Sequence, residues 1–217
     1  MILKHELKIN FRTKESFYSM LSFGMVLIVA LGFTLNTSPE QLIKILPGIF
    51  WITVLFISVI GIYRMFAHEM TFNAISLFAS SPINRSLILF TKVISGLVYL
   101  FIVELVLLGL IKLFFDVFFL DQLFIALGLI FIGNFSILIT GVLLSGLTLN
   151  SQMKDVLIPI LMFPLLSPVI IALTKSTQSL LEGIPIDQWQ IWIFVIITYS
   201  IVFSILGYGF FDYLMEE

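Results

Sequence analysis

Side chains able to do chemistry are few in this chain, and their spacing excludes most enzymatic uses. A metal hydrolase of the HExxH kind needs two histidines one helical turn apart with glutamate as base. The chain has only two histidines, His5 and His68, and His68-Glu69 is followed by Phe72 where the second ligand would stand. With no cysteine there is no thiolate nucleophile or metal ligand, no disulfide framework and no covalent haem attachment. A GxxxxGK[ST] phosphate loop is also missing: Gly128 with Gly133 and Gly141 with Gly146 have that spacing, but no lysine follows either pair. Trp51, Trp189 and Trp192 do not form a Trp-rich haem-handling motif. The expectation is a chain with no catalytic residue, no metal and no cofactor held directly, which must borrow any ATP chemistry from a partner.

Two features remain. Glu104 is the one acid deep inside a long apolar run, where an ionisable group is costly and marks either a substrate path or a pairing with a polar group on a neighbouring helix. One acid is thin support for a proton relay. The segment Arg64 to Arg85, RMFAHEMTFNAISLFASSPINR, is amphipathic. Phe66, Met70, Ala74, Leu77 and Phe78 form one helical stripe, with His68, Glu69, Asn73, Ser76 and Ser80 elsewhere. It should stop at Ser81-Pro82, because the residue before proline is pushed out of the α region. Such an element fits a groove on a soluble partner, with Arg64, Glu69 and Arg85 as orienting charge and Phe66 and Phe78 as apolar contact. The other reading is a helix resting on lipid, against which its low basic charge argues.

The elements that position these residues follow from composition. With 60% hydrophobic residues, 11% charged residues and 23 Phe, the 217-residue chain has too little polar surface for a water-soluble globule. A hydrocarbon core of about 30 Å takes roughly 20 apolar residues in a helix. Six runs qualify, at 17–35, 45–63, 87–111, 122–149, 156–174 and 191–211, and none alternates like an outer-membrane strand. The fold class is therefore all-α integral membrane, a single domain, with the segment 64–86 between the second and third helices. Lys4, Lys8, Arg12, Lys14, Arg64, Arg85, Lys92 and Lys154 fall on one side and Lys44, Lys112 and Lys175 on the other, which puts both termini in the cytoplasm. No cleavable leader is visible ahead of the first run, so that helix is expected to be retained.

Residues 2–16 place Leu3, Leu7 and Phe11 at steps of four with the basic residues on other faces, a pattern for a helix lying along the interface. A polar leader that only enforces topology is the alternative. Pro47 is expected in the first turn of the second helix, where its missing N–H costs nothing, and Trp51 at the outer interface. Pro159, Pro164 and Pro168 should bend or break the fifth helix towards its outer end. The stretch after it, KSTQSLLEGIPIDQWQ, should leave the bilayer and fold back as short interfacial helices. Gly128, Gly133, Gly141 and Gly146, with Ser136, Thr140 and Ser145, read as small residues that let helices approach closely.

Several stretches together, LKHELKINFRTKESFYSML, LPGIFWITVLFISVIGIYRMFAHE, SSPINRSLILFTKVISGLVYLFIVEL, DVLIPILMFPLLSPVIIA and FFDYLMEE, resemble the heme exporter protein B (CcmB) family from end to end. The resemblance implies an ABC-2-type exporter permease of the bacterial cytoplasmic membrane, with an N-terminal elbow helix and a coupling helix between the second and third membrane helices. It implies work in cytochrome c maturation with a CcmA-type ATPase, CcmC- and CcmD-type membrane subunits and a CcmE-type haem chaperone. Haem would be the ligand transported or handled, ATP would sit on the partner, and six helices would call for a second copy or another membrane half. Of the docking residues, Arg64, Phe66, Glu69, Ser81 and Pro82 carry over. The chain departs from the family where His68-Glu69 and Phe72-Asn73 stand in place of acidic residues and an Asp-Gly pair. A permease of the same fold for lipid, polysaccharide or drug, a secondary carrier that needs no ATPase, and an intramembrane enzyme are the competing functions. No nucleic-acid partner is expected.

Overall fold

The computed structural model describes residues 14–34, 38–71, 85–117, 122–148 and 154–214. These form six helices: α1 (Lys14–Thr34), α2 (Pro39–Thr71), α3 (Arg85–Phe115), α4 (Leu123–Leu147), α5 (Lys154–Leu181) and α6 (Gln190–Leu214), with a 3₁₀ turn at Ile186–Gln188. All six contain stretches long and apolar enough to cross a membrane, and no strand occurs among the described residues. Of the elbow segment 2–16, residues 2–13 lie outside the described residues, as do Phe78, Ser81 and Pro82, and residues 14–16 begin α1.

Helix α2 differs most from expectation. It runs 33 residues, about 50 Å at 1.5 Å per residue, instead of beginning near Ile45 and ending near Tyr63. Its start carries a helix signal, Ser38-Pro39-Glu40-Gln41: Leu42 N–H donates to the Ser38 carbonyl at 2.9 Å, and Pro39 takes the first helical position, where no donor is needed. Pro47 is consequently interior to the helix, not in its first turn. At the far end nothing in GIYRMFAHEMT breaks the helix. Gly61 is covered by the Met20 side chain, and residues 64–71 continue α2 without a separate start.

Helix α5 also runs unbroken, through all three of its prolines. Pro168 removes the N–H that would bond the Pro164 carbonyl, and the Ser167 hydroxyl donates to that carbonyl at 2.8 Å instead. The break expected there is absent, this bond making up for the one lost at Pro168, and the helix continues to Leu181, absorbing the first part of the stretch expected outside the bilayer. Beyond it, Gly183 turns the chain at φ +69°, and Trp189 Nε1 donates to the Ile184 carbonyl at 3.0 Å.

Helix α4 is the centre of the bundle. It packs against α2, α3, α5 and α6, whereas α1 lies outside on α2 and α3. The small residues of α4 explain its position. A Cβ on Gly133 would fall 2.7 Å from the Trp51 ring, and one on Gly141 would collide with the Ile62 side chain and crowd Met162. Bulky side chains of α2 and α5 thus occupy space that only glycine leaves open. Gly128, by contrast, faces open space and makes no close approach. Trp51 is a core residue, not an interfacial anchor: it is buried, and its Nε1 donates to Thr177 Oγ1 on α5 at 2.9 Å.

Candidate functional site

At mid-bundle, Glu104 on α3 meets Asn134 on α4, the Asn134 amide donating to Glu104 Oε2 at 2.5 Å with both side chains buried. Of the two roles open for this acid, the structure shows the pairing. Glu104 Oε1 and Asn134 Oδ1 have no hydrogen-bond partner among the described residues, so the pair is only half satisfied. The polar contacts continue along α4. Ser136 and Ser200 hydroxyls lie 2.6 Å apart, and Thr140 and Tyr199 hydroxyls 3.1 Å apart, tying α4 to α6. Sequence reading singled out Glu104 but not its partner, although an asparagine within an apolar helix is itself a signal that something polar faces it.

The second site lies where α2 and α3 flank residues 72–84. Arg64 is turned inward along the bundle: its Nη1 is 3.0 Å from Glu15 Oε1 and its Nη2 donates to Ser19 Oγ at 3.1 Å, both on α1. The pair is exposed on the Glu15 side and contributes on the order of 1 kcal/mol or less. Beneath it, Ser16, Ser58, Arg64 and Tyr99 line part of a crevice of about 20 Å³, which is water-sized. Gly61 and Gly96 keep its walls close.

Phe66, expected as a surface contact, is instead 4% exposed, and the Lys92 ammonium lies over its ring at 4.6 Å from the centroid. Lys92 itself is 1% exposed, near the start of α3. By sequence Lys92 counts only towards topology, although a lysine two turns inside an apolar helix is itself a signal of a buried cation. Glu69 and Arg85 fall on the helical backbone of α2 and α3, with their side chains outside what is described. Pro159, Pro164 and Pro168 all lie on α5, away from this end for the last two, and do not converge with the docking residues. No group of three or more potential metal ligands occurs among the described residues.

Six long apolar helices, four of them packed on the small-residue helix α4, with polar contacts inside, define an all-α, multi-pass membrane protein. A family model described as CcmB protein matches residues 1–208, and the chain belongs to that family, the heme exporter protein B permeases of cytochrome c maturation. It is accordingly a permease subunit of an ABC transporter, not itself catalytic, within a system that has other subunits. Comparison with curated proteins gives no match.

Proposed function

We propose that this chain converts ATP hydrolysis on a CcmA-type partner into movement of its own helices, so that haem is exported or the haem-loaded CcmE-type chaperone is released. The single observation that supports the reading is the length of α2: it passes unbroken from a mid-membrane core through Glu69 to Thr71. A helix of about 50 Å exceeds a hydrocarbon core of about 30 Å and delivers its end, with the segment that follows, to a soluble partner. On this reading Glu69, Phe78, Ser81, Pro82 and Arg85 meet the ATPase. Arg64 and Phe66 hold the base of that surface, since they are engaged within the chain.

Both termini and residues 72–84 would then be cytoplasmic, in the bacterial cytoplasmic membrane, with CcmC- and CcmD-type subunits and a second copy completing the assembly. Haem is cargo here, and ATP stays on the partner. Pro159, Pro164 and Pro168, in the inner half and at the middle of α5 and not in its outer half, would shape its movement, each leaving one backbone bond fewer to resist bending. Glu104 would serve as a clamp between α3 and α4.

Charge reversal tests the docking. Glu69→Lys should cut co-purification of the ATPase at least fivefold and with it ATP-dependent cytochrome c assembly. Undiminished association and assembly would refute the docking role and favour a helix that rests on lipid.

A further inference from the structure

The Glu104–Asn134 contact uses one oxygen of the carboxyl group and one nitrogen of the amide, and leaves two oxygens over. Glu104 is 0% exposed and Asn134 1% exposed, so neither group reaches bulk water. Glu104 Oε1 and Asn134 Oδ1 are buried with no partner among the described residues. Both are acceptors while the carboxyl group is ionised, so neither can serve the other. A buried acceptor left unmet carries its full desolvation penalty, and a charged one carries more.

No described charge lies close enough to answer the carboxylate. The helices packed on α3 are α1, α2, α4 and α6. Helix α4 contains no ionisable residue, α1 has none beyond Tyr18, and α2 has none between Lys44 and Tyr63. Helix α6 brings Tyr199, whose hydroxyl meets that of Thr140, and further along Tyr208. On α3 itself Tyr99, Lys112 and Lys92 stand about 7.5, 12 and 18 Å from Glu104 along the axis, and Lys112 is engaged with Asp116.

A single proton meets the whole requirement. Placed on Oε1, it removes the charge and turns that oxygen into a donor, for which Asn134 Oδ1 is the acceptor left over. The last torsion of each side chain is broad and lets the two planes turn to face one another. The amide N–H then donates to the carboxyl C=O, and the carboxyl O–H to the amide C=O. A water molecule could donate to both oxygens but would leave the charge in place. A divalent cation takes about six oxygen ligands, and these two side chains have three oxygens between them.

We infer that Glu104 and Asn134 form a proton-binding site, in which carboxylic acid and amide hold each other through two hydrogen bonds and fasten α3 to α4. The proton is taken from water and returned to it: once it is lost, the carboxylate and both spare acceptors need solvent, and the seam between α3 and α4 loosens. The site rests on the reading of Glu104 as a clamp, and not on docking of the ATPase.

Infrared spectra of the full chain in nanodiscs separate the acid from its carboxylate. At about pH 8 exposed carboxyl groups, with a pKa of about 4, are ionised and give no acid band. One carboxylic-acid carbonyl band should remain, should be lost in Glu104→Gln and should persist in Glu40→Gln, which alters an exposed acid. In Asn134→Leu it should move to higher frequency, because the carbonyl loses its amide donor. Absence of the band from the unaltered chain, or a band that survives Glu104→Gln, overturns the proton site. An unmoved band in Asn134→Leu overturns the two-bond pairing, and if that variant does not fold, Asn134→Ser, which cannot make both bonds at once, decides in the same way. The clamp is read apart from the proton, by unfolding Glu104→Leu, Asn134→Leu and the double variant: energetic coupling without an acid band keeps the clamp and refutes the proton, and an acid band without coupling refutes the clamp.

Discussion

Removing the Asn134 amide should expose how much the bundle depends on one buried polar pair. Asn134→Leu takes away the only described donor to Glu104 and leaves its carboxyl group buried. Hydrogen bonds between membrane helices average about 0.6 kcal/mol and reach about 1.7, because the unfolded chain in a bilayer also finds partners. This bond is short, at 2.5 Å, and both groups are buried, so it belongs at the upper end. Each single variant, Asn134→Leu and Glu104→Leu, should cost about 2 kcal/mol, being the lost bond plus the orphaned partner. The double variant leaves no orphan, so a coupling of about 1.5 kcal/mol should appear between the two sites. Reversible unfolding in mixed micelles, followed for all four corners of the cycle, measures it. Additivity within about 0.3 kcal/mol would show that the pair carries no interaction, and the clamp between α3 and α4 would have to be abandoned.

Other outcomes follow from single contacts. Gly133→Val should destabilise the bundle by about 1–3 kcal/mol through overpacking against Trp51 and Leu173, read by the same unfolding assay. Ser167→Ala should cost about 1 kcal/mol, and the cost should disappear in a Pro168→Leu background, where a backbone N–H again reaches the Pro164 carbonyl. Asp116 ends α3 at φ +55°, so Asp116→Ala should be about 1 kcal/mol worse than Asp116→Gly in thermal stability. Lys112, 2.5 Å away, holds the Asp116 carboxyl below its usual range. A depressed carboxyl contributes fully above its unfolded pKa, about 4, and the contribution fades as pH falls through the lower folded value. Asp116→Asn should remove that acid-side slope from a pH titration of melting temperature.

Composition and run length were enough to find six membrane helices, because hydrocarbon thickness imposes a length that single residues cannot override. The ends were harder to read, for reasons visible at particular residues. The Ser38-Pro39-Glu40-Gln41 start lies within a stretch polar enough to pass for a loop, and the end of α2 is too polar to look like part of a membrane run although it holds no proline to stop the helix. The outcome at Pro168 depended on a neighbour's hydroxyl, Ser167, whose rotamer no periodicity reports. Glu104 was evident as an oddity, yet its role depended on which residue of α4 faced it. For Phe66, an apolar stripe at helical spacing identified the ring as one to be covered but not by what, and the cover proved to be Lys92.

The two occupied glycine sites of α4 have a mechanical consequence. Gly133 receives Trp51 and Gly141 lies under Ile62, so α2 engages α4 at two points some 12 Å apart along the axis. A rod keyed at two such points cannot slip along its neighbour or swivel about either key without lifting both side chains out at once. Thrust applied at the end of α2 would therefore reach α4 as displacement of the whole shaft.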